Sequence, residues 1–164
     1  MRPFLVLCLF LLAGRADAQP VVVRIVTPTY SKIEDGLFLG GFVEKPPDVT
    51  AVLNVCEAKN SYGLKYSRFS PIPDSKPAPS LDWLKEQVDF VDEHRKADRA
   101  VYVHCAVGIS RSGMVVVAYL MQRDKLTRDE ALKLVKGKRE MVQPNPAFME
   151  LLTEYEKELK KAKK

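Results

Sequence analysis

Ten consecutive residues, His104 to Gly113 (HCAVGISRSG), constrain the fold of this 164-residue chain more than any others. The apolar VYV of residues 101–103 precedes them and the helix-forming MVVVAYLMQR follows, so the order is strand, tight loop, helix N-terminus. A helix N-terminus carries unpaired backbone N–H groups and the positive end of the macrodipole, which makes it an anion site. Gly108 lets the loop curl until successive N–H groups face inward. Ala106, Val107, Gly108, Ile109 and Ser110 then form a cradle, and Arg111 closes over it with a planar fork. Cys105 stands at the start of the loop, where the same positive field favours its thiolate; such sites bring a thiol pKa from about 8.5 to about 3.5–7.5. A nucleophilic sulfur on the floor of a phosphate-sized cradle points to phosphoryl transfer through a phosphocysteine. Cysteine is also buried for packing alone. Here His, Cys, Gly, Ser, Arg and Ser all fall where the chemistry needs them.

These residues resemble the signature loop of the cysteine-dependent protein phosphatases, and the Ser-Arg-Ser ending (110–112) resembles the dual-specificity branch. The resemblance runs from about Tyr30 to Leu159. YSKIEDGLFLGG is similar to that branch's opening hairpin, AVLNV to its buried strand and VQPNPAFMELL to its closing helix. The resemblance implies that His104 helps hold the neighbouring thiol ionised, although a histidine ending a strand is also an ordinary core residue. It implies that the Ser112 hydroxyl stabilises Cys105 as a leaving group; otherwise Ser112 is a polar first-turn residue.

Thiolate attack on a phosphomonoester releases an alkoxide or phenolate that needs a proton, so the chemistry wants a carboxylic acid on a loop facing the cradle. SPIPDSKPAPS has four prolines in eleven residues and reads as that loop. The resemblance makes Asp74, 31 residues before Cys105, the general acid and later the base; a turn aspartate bonding its own backbone is the plainer use. Asp82 is second choice, in the first turn of an expected helix where the dipole explains it. In dual-specificity relatives an asparagine in a Pro-Asn pair braces the phosphate loop, which suggests Asn145; a cap of the last helix is the other reading. Cys56 ends one buried strand and Cys105 another of the same sheet, so both thiols lie at one edge. VCEA (55–58) resembles the phosphatases of regenerating liver and the lipid-directed tensin homologue, where a cysteine here pairs with the nucleophile. That makes Cys56 a redox partner, against a small buried core thiol.

One domain's worth of chain carries all this. The alternation of strand and helix signals predicts an α/β fold with a central, mostly parallel sheet flanked by helices. Asp35-Gly36 marks a hairpin, Thr50–Cys56 and Leu64–Phe69 short strands, and Ala100–His104 the strand feeding the loop. Ser80 caps a helix, another begins at Ser112, Thr127-x-x-Glu130 is a capping box, and Pro144-Asn145-Pro146 precedes the last helix. Residues 30–160 form the expected domain, 19–29 a lead-in and 161–164 a basic tail.

Residues 1–18 read as a secretory signal peptide: Arg2, the apolar FLVLCLFLLAG, then Ala16-Asp17-Ala18 as a cleavage pattern. The apolar run is shorter than the roughly 20 residues needed to span a bilayer. Cleavage after Ala18 removes Arg2, Arg15 and Asp17 and lowers the net charge from +5 to +4, and makes the protein secreted or periplasmic. No ligand cluster implies a metal or organic cofactor, and no long basic block implies nucleic acid. The implied partner is a phosphoprotein or another phosphomonoester. A phosphoinositide is a less apt substrate, since Ala106, Val107 and Ile109 are uncharged where a polyanion favours lysines. A sulfur-transfer enzyme has no use for Arg111 or the Asp74 loop, and a non-catalytic phosphopeptide-binding module is a further alternative.

Overall fold

The computed structural model describes residues 29–59 and 62–162. The expected signal peptide, and the lead-in up to residue 28, lie outside the described residues. Strands β1 (Tyr30–Glu34) and β2 (Leu37–Gly40) form an antiparallel hairpin. The turn is Asp35-Gly36, with Gly36 at φ +74°, the left-handed conformation that glycine takes without a Cβ penalty. Strands β3 (Ala51–Asn54), β4 (Tyr66–Phe69) and β5 (Val101–His104) complete a five-stranded sheet in the order β1-β2-β5-β3-β4. All pairs except the hairpin are parallel. The mostly parallel α/β architecture is therefore the expected one.

Strand β5 is central, and every residue of it is buried, as its VYVH composition demands. His104 pairs with Gly40 on one side and Asn54 on the other, so three strands finish level with one another. Helices α1 (Leu81–Lys96), α2 (Arg111–Asp124), α3 (Arg128–Lys138) and α4 (Pro146–Lys161) complete the fold. Helix α2 is the apolar spine: Arg111 to Met121 are all buried. It packs on α1, α3, α4 and the sheet. The caps read from sequence are present. Ser80 accepts from Trp83 N–H, and Thr127 and Glu130 form the reciprocal box.

Several boundaries differ from the sequence reading: β3, β4 and β5 begin at Ala51, Tyr66 and Val101 rather than at Thr50, Leu64 and Ala100. Strand β3 stops at Asn54 rather than Cys56, because the Asn54 side chain turns back to accept the Cys56 N–H at 2.8 Å. Helix α2 starts at Arg111, one residue early, since the Ser110 carbonyl already accepts the Met114 N–H at 2.9 Å. The supposed tail begins inside α4, which continues through Lys161 with Lys160 and Lys161 in its last turn, where the dipole favours cations.

Candidate active site

The loop from Cys105 to Ser110 joins β5 to α2, and its carbonyl groups are bound from outside. Phe42 N–H donates to Ala106 O at 2.9 Å and Gln143 N–H to Ile109 O at 2.9 Å. Arg139 donates to Val107 O at 3.0 Å and to Gly108 O at 2.8 Å. His104 Nδ1 lies 3.3 Å from Cys105 O, a contact that requires the Nδ1–H tautomer. In a planar trans peptide the C=O of one residue opposes the N–H of the next. Five carbonyls turned outward therefore turn the N–H groups of residues 106–110 inward, which is a nest for an anion. Gly108 is indispensable to this curl: its φ is +76°, and a Cβ there would lie 2.3 Å from the Gly40 carbonyl carbon.

Cys105 is almost fully buried at the nest's base. Its sulfur is 3.3 Å from the Gly108 N–H and 3.3 Å from Ser112 Oγ. Burial pushes the thiol up, but the hydrogen bonds from Ser112 (hydroxyl and N–H), Gly108 and Val107 together outweigh it. The thiol sits below its ordinary value. Ser112 thus faces the sulfur. His104 is sealed among Tyr102, Phe42 and Tyr62, and burial drives its pKa down to about 4. A neutral imidazole lends the thiolate no charge, and the contact it makes with the loop is the one to the Cys105 carbonyl.

Arg111 is the arginine of the loop, with a side chain only 7% exposed. One terminal nitrogen donates to Glu57 Oε2 at 3.0 Å and to Ile72 O at 3.1 Å. Its Nε is buried without a hydrogen-bond partner, and the Asp74 carboxylate is 3.7 Å away, too far to accept. A buried N–H left unpaired costs about 1–3 kcal/mol, so this atom awaits an acceptor. Asp74 stands opposite on the proline-rich loop. Its Oδ1 accepts from Ser110 Oγ at 2.7 Å and from Asn145 Nδ2 at 2.9 Å.

Asn145 touches both α4 and the phosphate loop. Its Oδ1 caps α4 by accepting the Phe148 N–H at 3.0 Å, while its own N–H donates to Ser110 Oγ at 3.1 Å. Asp82 belongs elsewhere: exposed on α1, it pairs with Lys85 at 3.8 Å. Cys56 and Cys105 are both free and buried in one core cluster. Two contributors went unread in the sequence. Glu57 lies three residues beyond the end of β3, where nothing local marks it. Arg139, in KGKRE at a basic helix end, carries no local signal. Among the described residues no group of three or more His, Cys, Asp or Glu side chains is placed to hold a metal, and no helix is long and apolar enough to cross a membrane.

The geometry has counterparts. The family model "Dual specificity phosphatase, catalytic domain" matches residues 43–158. Human dual specificity protein phosphatase 1 is 36% identical over 113 residues, 68% of this chain and 31% of that protein. The chain spans about a third or less of the length of such curated relatives. The crystal structure of human DUSP28 superposes with a TM-score of 0.73 at 27% identity, over 82% of this chain and 97% of that one. PTPMT1 in complex with PI(5)P gives 0.73 at 24% identity, over 83% and 99%, a likeness of fold.

Proposed function

This chain belongs to the dual specificity phosphatase family, and from that premise we propose that it hydrolyses phosphomonoesters of tyrosine, serine and threonine through a phosphocysteine. The single observation that carries the reading is the run of five outward-bound carbonyls above a thiol of lowered pKa. Inward N–H groups and the free Nε of Arg111 suit three equatorial phosphoryl oxygens, whose charge grows in the transition state. The Cys105 thiolate attacks phosphorus, a P–S bond forms, and the P–O bond to the leaving group breaks. Asp74, protonated, delivers its proton to that departing oxygen. In the second step Asp74 takes a proton from water as the water oxygen attacks phosphorus. The P–S bond breaks, and the Ser112 hydroxyl donates to the sulfur as it regains its charge.

Val107, on the loop itself, is exposed and apolar, and the loop interior carries no lysine. That supports phosphoamino-acid side chains over a polyanionic inositol head group. Turnover of p-nitrophenyl phosphate, phosphopeptides and a phosphoinositide, by wild type and Cys105→Ser, tests the proposal. We expect ester turnover that vanishes in Cys105→Ser, because a serine hydroxyl stays protonated in a site tuned for a thiolate. Persistent turnover in that variant rejects the phosphocysteine, no turnover in wild type leaves a phosphopeptide-binding module, and faster phosphoinositide release reassigns the substrate. Export remains part of the proposal on the strength of residues 1–18 alone. The N-terminal mass of the protein from its native source tests it.

A further inference from the structure

Two of the five carbonyls that shape the cradle are held by one side chain from a distant segment. Arg139 follows α3, and its backbone is fixed at both ends: its N–H donates to Val135 O at 2.9 Å and its carbonyl accepts from Val142 N–H at 3.0 Å. The side chain is buried beneath the loop. Its Nε donates to Gly108 O at 2.8 Å and Nη2 to Val107 O at 3.0 Å, while Nη1 reaches Ser31 Oγ on β1 at 3.4 Å. The peptides it grips are the ones on either side of Gly108, the residue with the most freedom to rotate. A flip of either peptide would aim a carbonyl oxygen at the bound anion and remove an N–H from it. The planar fork of a guanidinium opposes both flips at once, which an ammonium cannot do.

We propose that Arg139 is a positioning residue of the phosphate site: from outside the cradle it holds the Val107 and Gly108 carbonyls outward, so that the N–H groups of Gly108 and Ile109 face the phosphate and the Cys105 sulfur. The part concerning phosphate rests on the phosphatase reading; the part concerning the sulfur does not. Burial presses the guanidinium toward its neutral form, and Tyr102 and Cys105 counter this, so a charged Arg139 and an ionised Cys105 favour each other. The other charged or titratable groups around the loop are Arg111, Asp74 and Glu57, with Tyr102 and His104 on β5 and Tyr62 beside them.

The test uses the full chain and needs no turnover. Alkylation of Cys105 by iodoacetamide is followed against pH at the peptide level, then repeated with increasing inorganic phosphate, which protects the sulfur. In Arg139→Met the alkylation midpoint should rise by about one pH unit. Phosphate protection should weaken about tenfold, the size of one lost charge-assisted hydrogen bond. Arg139→Lys should raise the midpoint less than Arg139→Met does, because the charge stays, yet still lose phosphate protection. A folded Arg139→Met with the wild-type midpoint and protection within about twofold would overturn the proposal, since a merely structural arginine changes stability alone. Should that variant not fold, Arg139→Lys decides: wild-type protection overturns the proposal and lost protection supports it. A wild type that binds phosphate but turns over no ester contradicts the phosphatase reading and leaves the Arg139 comparison intact.

Discussion

Asn145 reaches Asp74 across the mouth of the phosphate loop, its Nδ2 donating to Asp74 Oδ1 at 2.9 Å while its Oδ1 caps α4. Ser110 Oγ donates to that same Asp74 oxygen at 2.7 Å. Three segments far apart in sequence thus converge on one carboxylate oxygen. With Oδ1 occupied by two donors, Oδ2 is the atom left for the proton that the proposed mechanism requires, and it is the oxygen facing Arg111 Nε.

The acid assignment predicts a dependence on leaving group. Asp74→Asn should lower the rate on alkyl phosphates by about 10²–10⁴-fold, the usual worth of general acid catalysis. An activated phenol leaves with little help, so its rate should fall far less. Parallel kinetics on the two ester classes decide the matter; equal losses would remove Asp74 from the role. Asn145→Ala should reproduce part of the alkyl-ester defect and also destabilise α4 by about 1 kcal/mol, the loss of a cap.

Glu57 presents a separate expectation. Its carboxylate, two-thirds exposed, orients the buried Arg111 fork by gripping one terminal nitrogen. Glu57→Gln keeps the shape and removes the charge, so kcat/KM should fall several-fold, in line with about 1 kcal/mol for a partly exposed pair. Added salt should shrink the difference. An unchanged or higher kcat/KM would make Glu57 a surface charge without influence on Arg111.

Cys105, Arg111, Ser112 and the course of the loop were legible because they are contiguous in sequence, a strand, six residues and a helix start, whereas the donors that hold the loop's carbonyls outward come from distant segments. The hairpin and the helix caps were legible for the same reason, since Gly36, Ser80 and Thr127 act within three residues of themselves. Asp74 was suggested by the need for an acid and by resemblance, but its hold by Ser110 and Asn145 depends on the way α4 packs. Glu57 and Arg139 depend on tertiary placement entirely. Arg139 is one of 26 basic residues and acts 31 positions from the carbonyl it binds, so no window of sequence separates it from a solvated neighbour.

Stability should depend on pH through His104. Its pKa is about 4 when folded, against about 6.5 for a free histidine, because burial excludes the imidazolium. The unfolded chain therefore binds the proton first, and stability is lost as pH falls from 6.5 toward 4, by roughly 3 kcal/mol in full. His94, packed against Phe90 and Tyr66, is also lowered by burial and contributes in the same sense. Urea unfolding between pH 6.5 and 5.5 stays above the range in which Asp35, Glu130 and Glu156, whose folded pKa values are lowered, take up protons in the unfolded chain. The slope seen in wild type should flatten in His104→Gln; an identical slope would mean that the ring is not sealed from water.

The redox reading of Cys56 predicts that it protects Cys105 from irreversible oxidation. Val55 N–H donates to His104 O at 3.0 Å, so the chains leaving β3 and β5 still run side by side where the two thiols occur. Peroxide converts the Cys105 thiolate to a sulfenic acid, and a thiolate of low pKa is the form that reacts. If the Cα atoms lie within disulfide reach, about 4.4–6.8 Å, the Cys56 sulfur displaces water from that sulfenic acid and an internal disulfide forms. The enzyme is then silent but protected, and a dithiol should restore it. Cys56→Ser has no resolving sulfur, so the same peroxide dose should carry Cys105 on to sulfinic and sulfonic acids that no dithiol reverses. Peroxide titration followed by dithiol rescue, run on both proteins with phosphatase activity as the readout, separates the cases. Near-complete recovery of wild type beside poor recovery of Cys56→Ser supports the switch, and equal recovery of the two makes Cys56 a core residue.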